Sequence, residues 1–166
     1  KDLPTDMPGS LALAAVLDRD DPRDVLLSKD NLAFLDLPAG SRIATSSRRR
    51  AAQLLHLRRD IEFVDIRGNI PTRLRKFDEG YCDAIVLACA GLNRLQLQSR
   101  ISQHFSVDAI TPAAGQAALA IECRSADGAL LDLLKQVEET EARLESDCER
   151  AYLGKLGGGC SVPVGA

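Results

Sequence analysis

A cluster of arginines at the predicted start of a helix is the first feature of this sequence that suggests chemistry. Arg48, Arg49 and Arg50 follow Ser46 and Ser47, where a short strand ends and an amphipathic pattern begins. A serine here caps the helix, and the unpaired backbone N–H groups of the first turn attract anions. Each cation there costs up to about 1 kcal/mol, so the cluster predicts an anion site. The alternative is that the arginines, Arg48 above all, are solvated surface residues.

A second group of cations follows the next two predicted strands. Arg67-Gly68-Asn69 comes directly after one strand, Arg73 lies in the first turn of the helix that follows, and Arg94 comes after the next strand. In open α/β sheets ligands collect at the carboxyl ends of strands, so both groups of arginines are expected to face one cleft. The planar guanidinium binds carboxylates in bidentate fashion, and by this criterion a phosphate ligand fits equally well.

Cys160 and Asp2 are the candidates for covalent and acid–base chemistry. Cys160 follows a run of three glycines, which leaves room for a bulky group on the sulfur. An unmodified thiol on a flexible loop is an equal alternative for this motif alone. Asp2, beside Lys1, is a candidate catalytic carboxylate, although acids near a terminus are usually solvated. His56 and His104 have no partner pattern and are predicted to be structural or exposed.

Short strands that alternate with helices would position these groups. The predicted strands are Val25–Leu27, Arg42–Thr45, Ile61–Ile66 and Asp83–Ala88, and the predicted helices are Ser47–Leu57 and Pro71–Phe77. This alternation indicates βαβ units and predicts a mostly parallel sheet with helices on both faces over residues 23–111.

The segments on either side of this region have simpler patterns. Leu11–Leu17 and Ala117–Cys123 are predicted strands, and Ala129–Leu156 is predicted to form one or two amphipathic helices. The chain begins inside one motif and ends as an extended segment starts. It is therefore expected to be a piece of a longer protein.

Composition limits the class of protein. Hydrophobic residues make up 45% of the chain, which favours folded domains, and no apolar run approaches the roughly 20 residues of a membrane helix. The five cysteines form no Cys-x-x-Cys pair, so we expect neither a disulfide framework nor a metal site. Free cysteines of this kind favour a reducing, cytosolic setting. Between Arg42 and Lys76, ten cations face three acids although the net charge is −3, which favours a local anion site over a nucleic-acid surface.

Seven short segments form a pattern that runs through the whole chain. They are Lys1-Asp2-Leu3-Pro4, Asp21-Pro22-Arg23-Asp24, Thr45-Ser46-Ser47 with Arg49-Arg50, Arg67-Gly68-Asn69 with Thr72-Arg73, Ala90-Gly91-Leu92 with Arg94-Leu95, Gly115-Gln116, and Gly158-Gly159-Cys160-Ser161-Val162-Pro163. Their order and spacing resemble the hydroxymethylbilane synthase (porphobilinogen deaminase) family. The last segment is the most specific, because it is similar to the family's primer-attachment loop.

The resemblance implies a fold and a domain organisation. It implies an α/β protein whose mixed-sheet domain, of the type II periplasmic-binding-protein kind, has helices on both faces. It also implies parts of a similar first domain and of a small α/β C-terminal domain. Residues 1–22 and 112–138 would belong to the first domain, 23–111 to the second, and 139–166 to the third.

The resemblance also implies an activity. In this family four porphobilinogen units are joined, with loss of ammonia, to a dipyrromethane primer, and water releases the linear tetrapyrrole for haem biosynthesis. Cys160 matches the residue that holds the primer as a thioether, and Asp2 matches the carboxylate that stabilises positive charge on the pyrrole. The residues implied to bind carboxylates of cofactor and substrate are Lys1, Thr45, Ser46, Ser47, Arg49, Arg50, Arg67, Gly68, Asn69, Arg73, Arg94 and Gln116. The family suggests a cytoplasmic monomer with no metal, nucleic-acid or membrane partner.

Two positions depart from the family pattern. The usual Gly-Gln-Gly is Gly115-Gln116-Ala117 here, which adds a methyl group near the hinge expected between the first two domains. Arg48 stands where an apolar residue is common.

Two other functions compete with the synthase. One is a non-catalytic periplasmic-binding-like domain for a small polyanion, in which Cys160 is unmodified and Asp2 is dispensable. The other is a nucleic-acid or phosphate-binding module, which predicts strongly salt-dependent binding. The isolated chain is also expected to lack activity, because the active site implied by the family lies between domains.

Overall fold

A computed structural model describes residues 3–4, 7–157 and 163–166. The chain divides into two compact units, one formed by Arg23–Pro112 and the other by Lys1–Pro22 together with Ala113–Ala166. The arginine-rich segment lies wholly in the first of these units, so that unit is described first.

The Arg23–Pro112 unit contains a five-stranded sheet. Its strands are β2 (Asp24–Ser28), β3 (Arg42–Ala44), β4 (Glu62–Val64), β5 (Ala84–Ala88) and β6 (Gln103–His104), in the order β4-β3-β5-β2-β6. β3 is parallel to both β4 and β5, whereas β2 is antiparallel to both β5 and β6. The mostly parallel sheet predicted from the strand–helix alternation is therefore wrong for β2, which runs opposite to the other four strands, and the mixed sheet implied by the family is confirmed.

Three helices follow the parallel strands. α1 (Arg48–Leu57) begins after Ser47, whose side chain accepts a hydrogen bond from the backbone N–H of Arg50. α2 (Ile70–Asp78) begins after Asn69, whose side chain accepts from the N–H of Thr72. α3 is the short helix Cys89–Asn93. The cap at Ser47 agrees with the sequence prediction, because capping depends on residues adjacent in the chain. The cap at Asn69 was not predicted, and α2 begins one residue before the predicted start at Pro71.

The two faces of this sheet carry separate apolar clusters. On one face, Val25 and Leu27 of β2 pack with residues of α2 and α3, including Leu74 and Leu92. On the other face, Leu26 packs with Leu54 of α1 and with Phe34 and Phe105. Successive strand residues point to opposite faces, so a strand covered on both sides is apolar throughout. The predicted α/β class with helices on both faces is confirmed.

The unit formed by Lys1–Pro22 and Ala113–Ala166 contains a two-stranded sheet and two α-helices among its described residues. β1 (Leu11–Val16) pairs antiparallel with β7 (Ala120–Arg124), with a register irregularity between Leu13 and Ala15. α4 (Gly128–Leu134) is capped by Asp127, and α5 (Thr140–Lys155) follows. The backbone N–H of Glu139 donates to the carbonyl of Val16 at 2.9 Å, which ties the start of α5 to the end of β1.

Ala117 explains why β7 is shorter than predicted. The sequence predicts a strand from Ala117, but the strand begins at Ala120. Ala117 has a φ of +74°, in the left-handed region that is incompatible with a strand and costs a residue with a side chain about 1–2 kcal/mol. The family resemblance implies glycine at this position.

The cysteines differ in exposure. Cys82, Cys89 and Cys123 are buried as small apolar residues, whereas Cys148 on α5 is exposed. Within the part of the chain that the structure describes, every helix is too short or too polar to span a bilayer.

Candidate functional site

The candidate site lies at one edge of the five-stranded sheet. β3, β4 and β5 run in the same direction, so the segments that follow them all leave the sheet at its carboxyl edge. β2 runs in the opposite direction, and Asp24 at its start pairs with Ala88 at the end of β5. The antiparallel strand therefore brings an acid to the edge at which the arginine-bearing segments begin.

Hydroxyl side chains hold the connection between β3 and α1. Oγ1 of Thr45 accepts from the N–H of Ser47 at 3.2 Å, and Oγ of Ser47 accepts from the N–H of Arg50 at 3.3 Å. Oγ of Ser46 donates to the carbonyl of Ile66 and accepts from the N–H of the same residue. The serine thus joins this connection to the one that follows β4. The three predicted binding residues first of all fix the loop that presents the arginines.

Arg49 and Arg50 are both buried and share a carboxylate. Nη2 of Arg49 donates to Oδ2 of Asp24 at 2.6 Å, and Nη2 of Arg50 donates to Oδ1 at 2.7 Å. The Asp24 side chain is 0% exposed, and the two arginine side chains are 6% and 8% exposed. Nη1 of Arg49 donates to the carbonyl of Thr111, and Nη1 of Arg50 to that of Val86 at 3.3 Å. Nε of Arg50 is buried with no hydrogen-bond partner among the residues that the structure describes.

Charge is not balanced within this group. Burial by itself would raise the pKa of Asp24, but the guanidiniums of Arg50 and Arg49 hold it below its ordinary value. Burial lowers the pKa of Arg49, Asp24 opposes that shift, and Arg50 adds to it. Arginine nevertheless stays charged at neutral pH, so two cations and one anion leave a buried surplus of one positive charge. An incoming anion would neutralise that surplus.

Asp24 is the site residue that the sequence analysis missed. It was part of a family segment, but no role was assigned to it. The available signal was an acid at the start of the otherwise apolar run Asp24–Leu27, which is unusual in a buried strand unless the acid is paired. The position of its partner depended on the direction of β2, which the pattern did not predict.

The connection between β4 and α2 carries the second group of predicted residues. The Arg67 side chain is 86% exposed, and its Nε donates to Oδ2 of Asp65 at 3.0 Å. Gly68 has a φ of +115°, and a Cβ at this position would lie 2.8 Å from Cγ2 of Thr72. Asn69 caps α2 through its side-chain oxygen, which accepts from the N–H of Thr72 at 3.0 Å. Only glycine fits the turn between Arg67 and the cap without strain.

Arg73 connects the two groups of cations. Its Nε donates to the carbonyl of Gly68 at 2.7 Å. Burial lowers the pKa of Arg73, the guanidinium of Arg50 lowers it further, and Asp65 partly opposes the shift. The effect of Arg50 on the pKa of Arg73 relates the two groups of cations electrostatically, and their convergence on one cleft stays a prediction. Arg94 lies exposed, directly after α3.

Three of the predicted site residues lie outside the described part of the chain, and one lies in the other unit. Lys1, Asp2 and Cys160 are outside the described residues. Gln116 belongs to the unit that contains β1 and β7 and is 1% exposed. Its side-chain nitrogen donates to the carbonyl of Pro22 at 2.6 Å, and its own carbonyl accepts from Nε of Arg19 at 3.1 Å.

This arrangement is suited to holding an anion with several oxygens. The buried Arg49 and Arg50 lie in the first turn of α1, the partly buried Arg73 lies in the first turns of α2, and the exposed Arg67 lies on the connection before α2. Paired N–H donors of this kind bind carboxylates and phosphates by charge-assisted hydrogen bonds.

Comparison with known proteins decides the family. Residues 1–132 match the family described as porphobilinogen deaminase, dipyromethane cofactor binding domain. Over all 166 residues the chain is 51% identical to the porphobilinogen deaminase of Brevibacillus brevis. The chain belongs to the porphobilinogen deaminase family. The porphobilinogen deaminase of a Roseiflexus species is 49% identical over the same length. The chain covers 54% of the Brevibacillus relative and 55% of the Roseiflexus one, or about half of each.

A solved structure supports the fold of this porphobilinogen deaminase family member. A crystal structure described as a candidate methionine-binding lipoprotein of Bacillus subtilis is similar to it, with a TM-score of 0.51 and 15% sequence identity. The similarity covers 80% of this chain and 63% of the lipoprotein. At this identity it shows the shared fold alone. The family and the fold class predicted from the sequence are thus both confirmed.

Proposed function

We propose that this chain supplies the carboxylate-binding region of an active porphobilinogen deaminase. The enzyme would join four porphobilinogen units to a dipyrromethane primer on Cys160 and release the linear tetrapyrrole by hydrolysis. The observation that carries the proposal is the buried pair Arg49 and Arg50, which holds one more positive charge than Asp24 neutralises. Membership of the family supports the reaction, although the chain spans about half the length of its relatives.

The chemistry of the substrate fits the donors at this site. Porphobilinogen carries an acetate and a propionate, so each added unit brings two carboxylates that need partners. Arg50 offers a buried Nε–H without a partner among the described residues, and Arg67, on the connection that follows β4, offers a guanidinium that is 86% exposed. A buried charge-assisted hydrogen bond is about twice as strong as a neutral one. The site therefore favours a ligand that presents carboxylates at more than one point.

The donor set also fits the dipyrromethane cofactor named in the family description. The arginines would hold the carboxylates of the cofactor, chiefly Arg49, Arg50 and Arg73, and Cys160 would hold it through a thioether. When bound, the dipyrromethane supplies the pyrrole to which each new unit is joined. The surplus of one positive charge on Arg49 and Arg50 over Asp24, with an Nε–H of Arg50 that has no partner among the described residues, is the feature that a carboxylate-bearing group satisfies and a neutral group does not.

The remaining assignments follow from the matching family segments. Asp2 would stabilise positive charge that develops beside the pyrrole N–H of the substrate. Lys1 and Gln116 would donate hydrogen bonds to carboxylates. The Ser47 hydroxyl would also donate, because its oxygen accepts from the N–H of Arg50 and its proton is left for a ligand, whereas the Ser46 hydroxyl would first have to release the carbonyl of Ile66. Residues 1–22 with 112–138, 23–111 and 139–166 would be parts of three domains of a cytoplasmic monomer that needs no metal, nucleic acid or membrane.

A chimera tests the proposal in an enzyme of full length. Residues 1–166 would replace the matching segment of the Brevibacillus brevis porphobilinogen deaminase, to which they are 51% identical. The purified chimera would be examined by intact mass, by peptide mapping around Cys160 and by consumption of porphobilinogen. We expect an adduct of two pyrrole units on Cys160 and turnover of porphobilinogen. Asp2→Asn should keep the adduct but lose turnover, and Cys160→Ser should lose both.

The control is Asp60→Asn, which removes an exposed ion pair with Arg58 at 2.5 Å away from the site. It should retain both the adduct and turnover. A folded chimera that carries no adduct after incubation with porphobilinogen, but whose 166-residue segment binds porphobilinogen, would instead favour the non-catalytic polyanion-binding domain.

A further inference from the structure

We infer that Asp24 is a positioning residue, which orients Arg49 and Arg50 so that their remaining N–H groups meet a ligand carboxylate. The inference rests on the function proposed above. Asp24 would not touch the ligand. It would act through the two guanidiniums, and its removal would weaken binding even though the site would become more positive.

The geometry supports a positioning role. Each carboxylate oxygen of Asp24 accepts from a different guanidinium, at 2.6 Å and 2.7 Å, so one side chain sets the orientation of both. The backbone of Asp24 is held by the sheet, because it pairs with Ala88 of β5 and its carbonyl accepts from the N–H of Phe105 at 3.0 Å. A carboxylate on a central strand is a more rigid anchor than one on a loop.

The contacts of Arg50 leave one defined donor. One terminal nitrogen is taken by Asp24 and the other donates to the carbonyl of Val86 at 3.3 Å. Nε is the buried nitrogen that has no partner among the described residues. The guanidinium is planar, so fixing its two ends also fixes the direction of the Nε–H. Without Asp24, the Arg50 side chain could rotate and this direction would be lost.

The opposing hypothesis makes the opposite prediction for affinity. If Asp24 only competed with the ligand for the arginines, its removal would free both guanidiniums and raise the local charge from one to two positive charges. An anionic ligand would then bind more tightly. If Asp24 positions the arginines, their mutual repulsion and lost orientation would weaken binding. The sign of the change in Kd therefore separates the two roles.

The test uses Asp24→Asn in the 166-residue chain, with Asp60→Asn as a matched control. Asparagine has nearly the shape of aspartate, but its amide nitrogen would face a guanidinium donor, so it can orient only one arginine. We expect the Kd for porphobilinogen to rise by about tenfold or more for Asp24→Asn. Asp60 pairs with Arg58 at the surface, so its variant should bind as the unchanged chain does. An unchanged or lower Kd for Asp24→Asn would overturn the inference.

A measurement on the unchanged chain keeps the inference testable if Asp24→Asn does not fold. Nitrogen-15 NMR of the arginine side chains would be recorded during titration with porphobilinogen. We expect the Nε resonance of Arg50 to shift while the Nη2 resonances of Arg49 and Arg50 stay at their starting positions. Loss of both Nη2 resonances from those positions would mean that the ligand displaces Asp24, which contradicts a positioning role. If the unchanged chain does not bind porphobilinogen at all, the proposed function of the site fails, and not this inference alone.

Discussion

Replacement of Gly68 by alanine is expected to destabilise the Arg23–Pro112 unit through two separable effects. Gly68 has a φ of +115°, so any side chain there is strained. An added Cβ would also lie 2.8 Å from Cγ2 and 3.0 Å from Cβ of Thr72, on the first turn of α2. The position of Cβ follows the backbone, so a change of the Thr72 rotamer cannot relieve the second contact. The loop or the start of α2 must move.

The destabilisation by Gly68→Ala can be estimated by comparison with Gly80→Ala. Gly80 has a φ of +84°, but a Cβ there would have nothing within 4 Å. For both glycines the strained backbone costs about 1–3 kcal/mol, and the stiffer unfolded chain returns about 0.4–1 kcal/mol. These contributions largely cancel in the comparison, whereas the contact with Thr72 adds about 1–3 kcal/mol for Gly68→Ala alone.

Urea unfolding followed by far-ultraviolet circular dichroism measures the difference. With a slope of about 2 kcal/mol per molar urea, an extra cost of about 2 kcal/mol lowers the midpoint of Gly68→Ala by about 1 M relative to Gly80→Ala. Thr72→Ser removes Cγ2 and leaves Cβ, so in this background Gly68→Ala should cost less than in the unchanged chain. Gly68→Ala should also bind porphobilinogen more weakly. The carbonyl of Gly68 accepts from Nε of Arg73 at 2.7 Å, so a shift of the loop would move the Arg73 guanidinium.

Two results would refute this reasoning. The first is a midpoint for Gly68→Ala equal to or above that of Gly80→Ala, which would mean that the contact with Thr72 does not form. The second is an equal cost of Gly68→Ala with threonine and with serine at position 72, which would mean that the contact with Cγ2 contributes nothing.

Three further predictions concern the cap, the strained alanine and acid stability. Ser47→Ala should destabilise the chain by about 1 kcal/mol in urea unfolding, because it removes the acceptor for the N–H of Arg50, whereas Ser47→Asp should retain stability. Ala117→Gly should stabilise the chain by about 0.5–1 kcal/mol. It relieves the strain at a φ of +74°, although glycine also makes the unfolded chain more flexible, which offsets part of the gain. A lower urea midpoint for Ala117→Gly would contradict this prediction. The pKa of Asp24 is lowered in the fold, so the stability it contributes is fully present above the ordinary aspartate value of 3.8 and is lost as the pH falls below that value toward the folded pKa. Acid titration of the unfolding free energy should therefore be less steep in this range for Asp24→Asn, and an equal slope would count against the ion pairs.

Local signals in the sequence predicted the elements that carry the site. Ser47 before the arginines and Pro71 in the second helix mark the two helix starts; α1 begins directly after Ser47, and α2 begins at Ile70, one residue before Pro71. Capping and the proline preference for a first turn depend on neighbours in the chain, so they can be read without knowledge of the fold. The rule that parallel strands present their carboxyl ends at one edge then predicts that the two groups of arginines lie together.

Tertiary structure decided which side chains meet at that edge. The pattern Asp24-Val25-Leu26-Leu27 is the same for a parallel and an antiparallel strand, because side chains alternate with a period of two in both. Only the pairing of β2 with β5 shows that β2 runs backwards, which brings Asp24 to the arginines. The burial of Arg49 and Arg50, next to an exposed Arg48, also depends on tertiary structure, because both pair with the buried Asp24 of β2.

The backbone conformation at Ala117 was likewise not readable from local sequence. Alanine favours helices and gives no sign of a left-handed residue, so the sequence predicted a strand there. The segment nevertheless adopts a φ of +74° at Ala117, and the strand begins three residues later. The sequence by itself determined the family segments, the helix starts and the sheet edge that carries the arginines. Strand direction, the burial of charge and the strained turn were decided by contacts between residues distant in the chain, because their energies depend on which segments pack together.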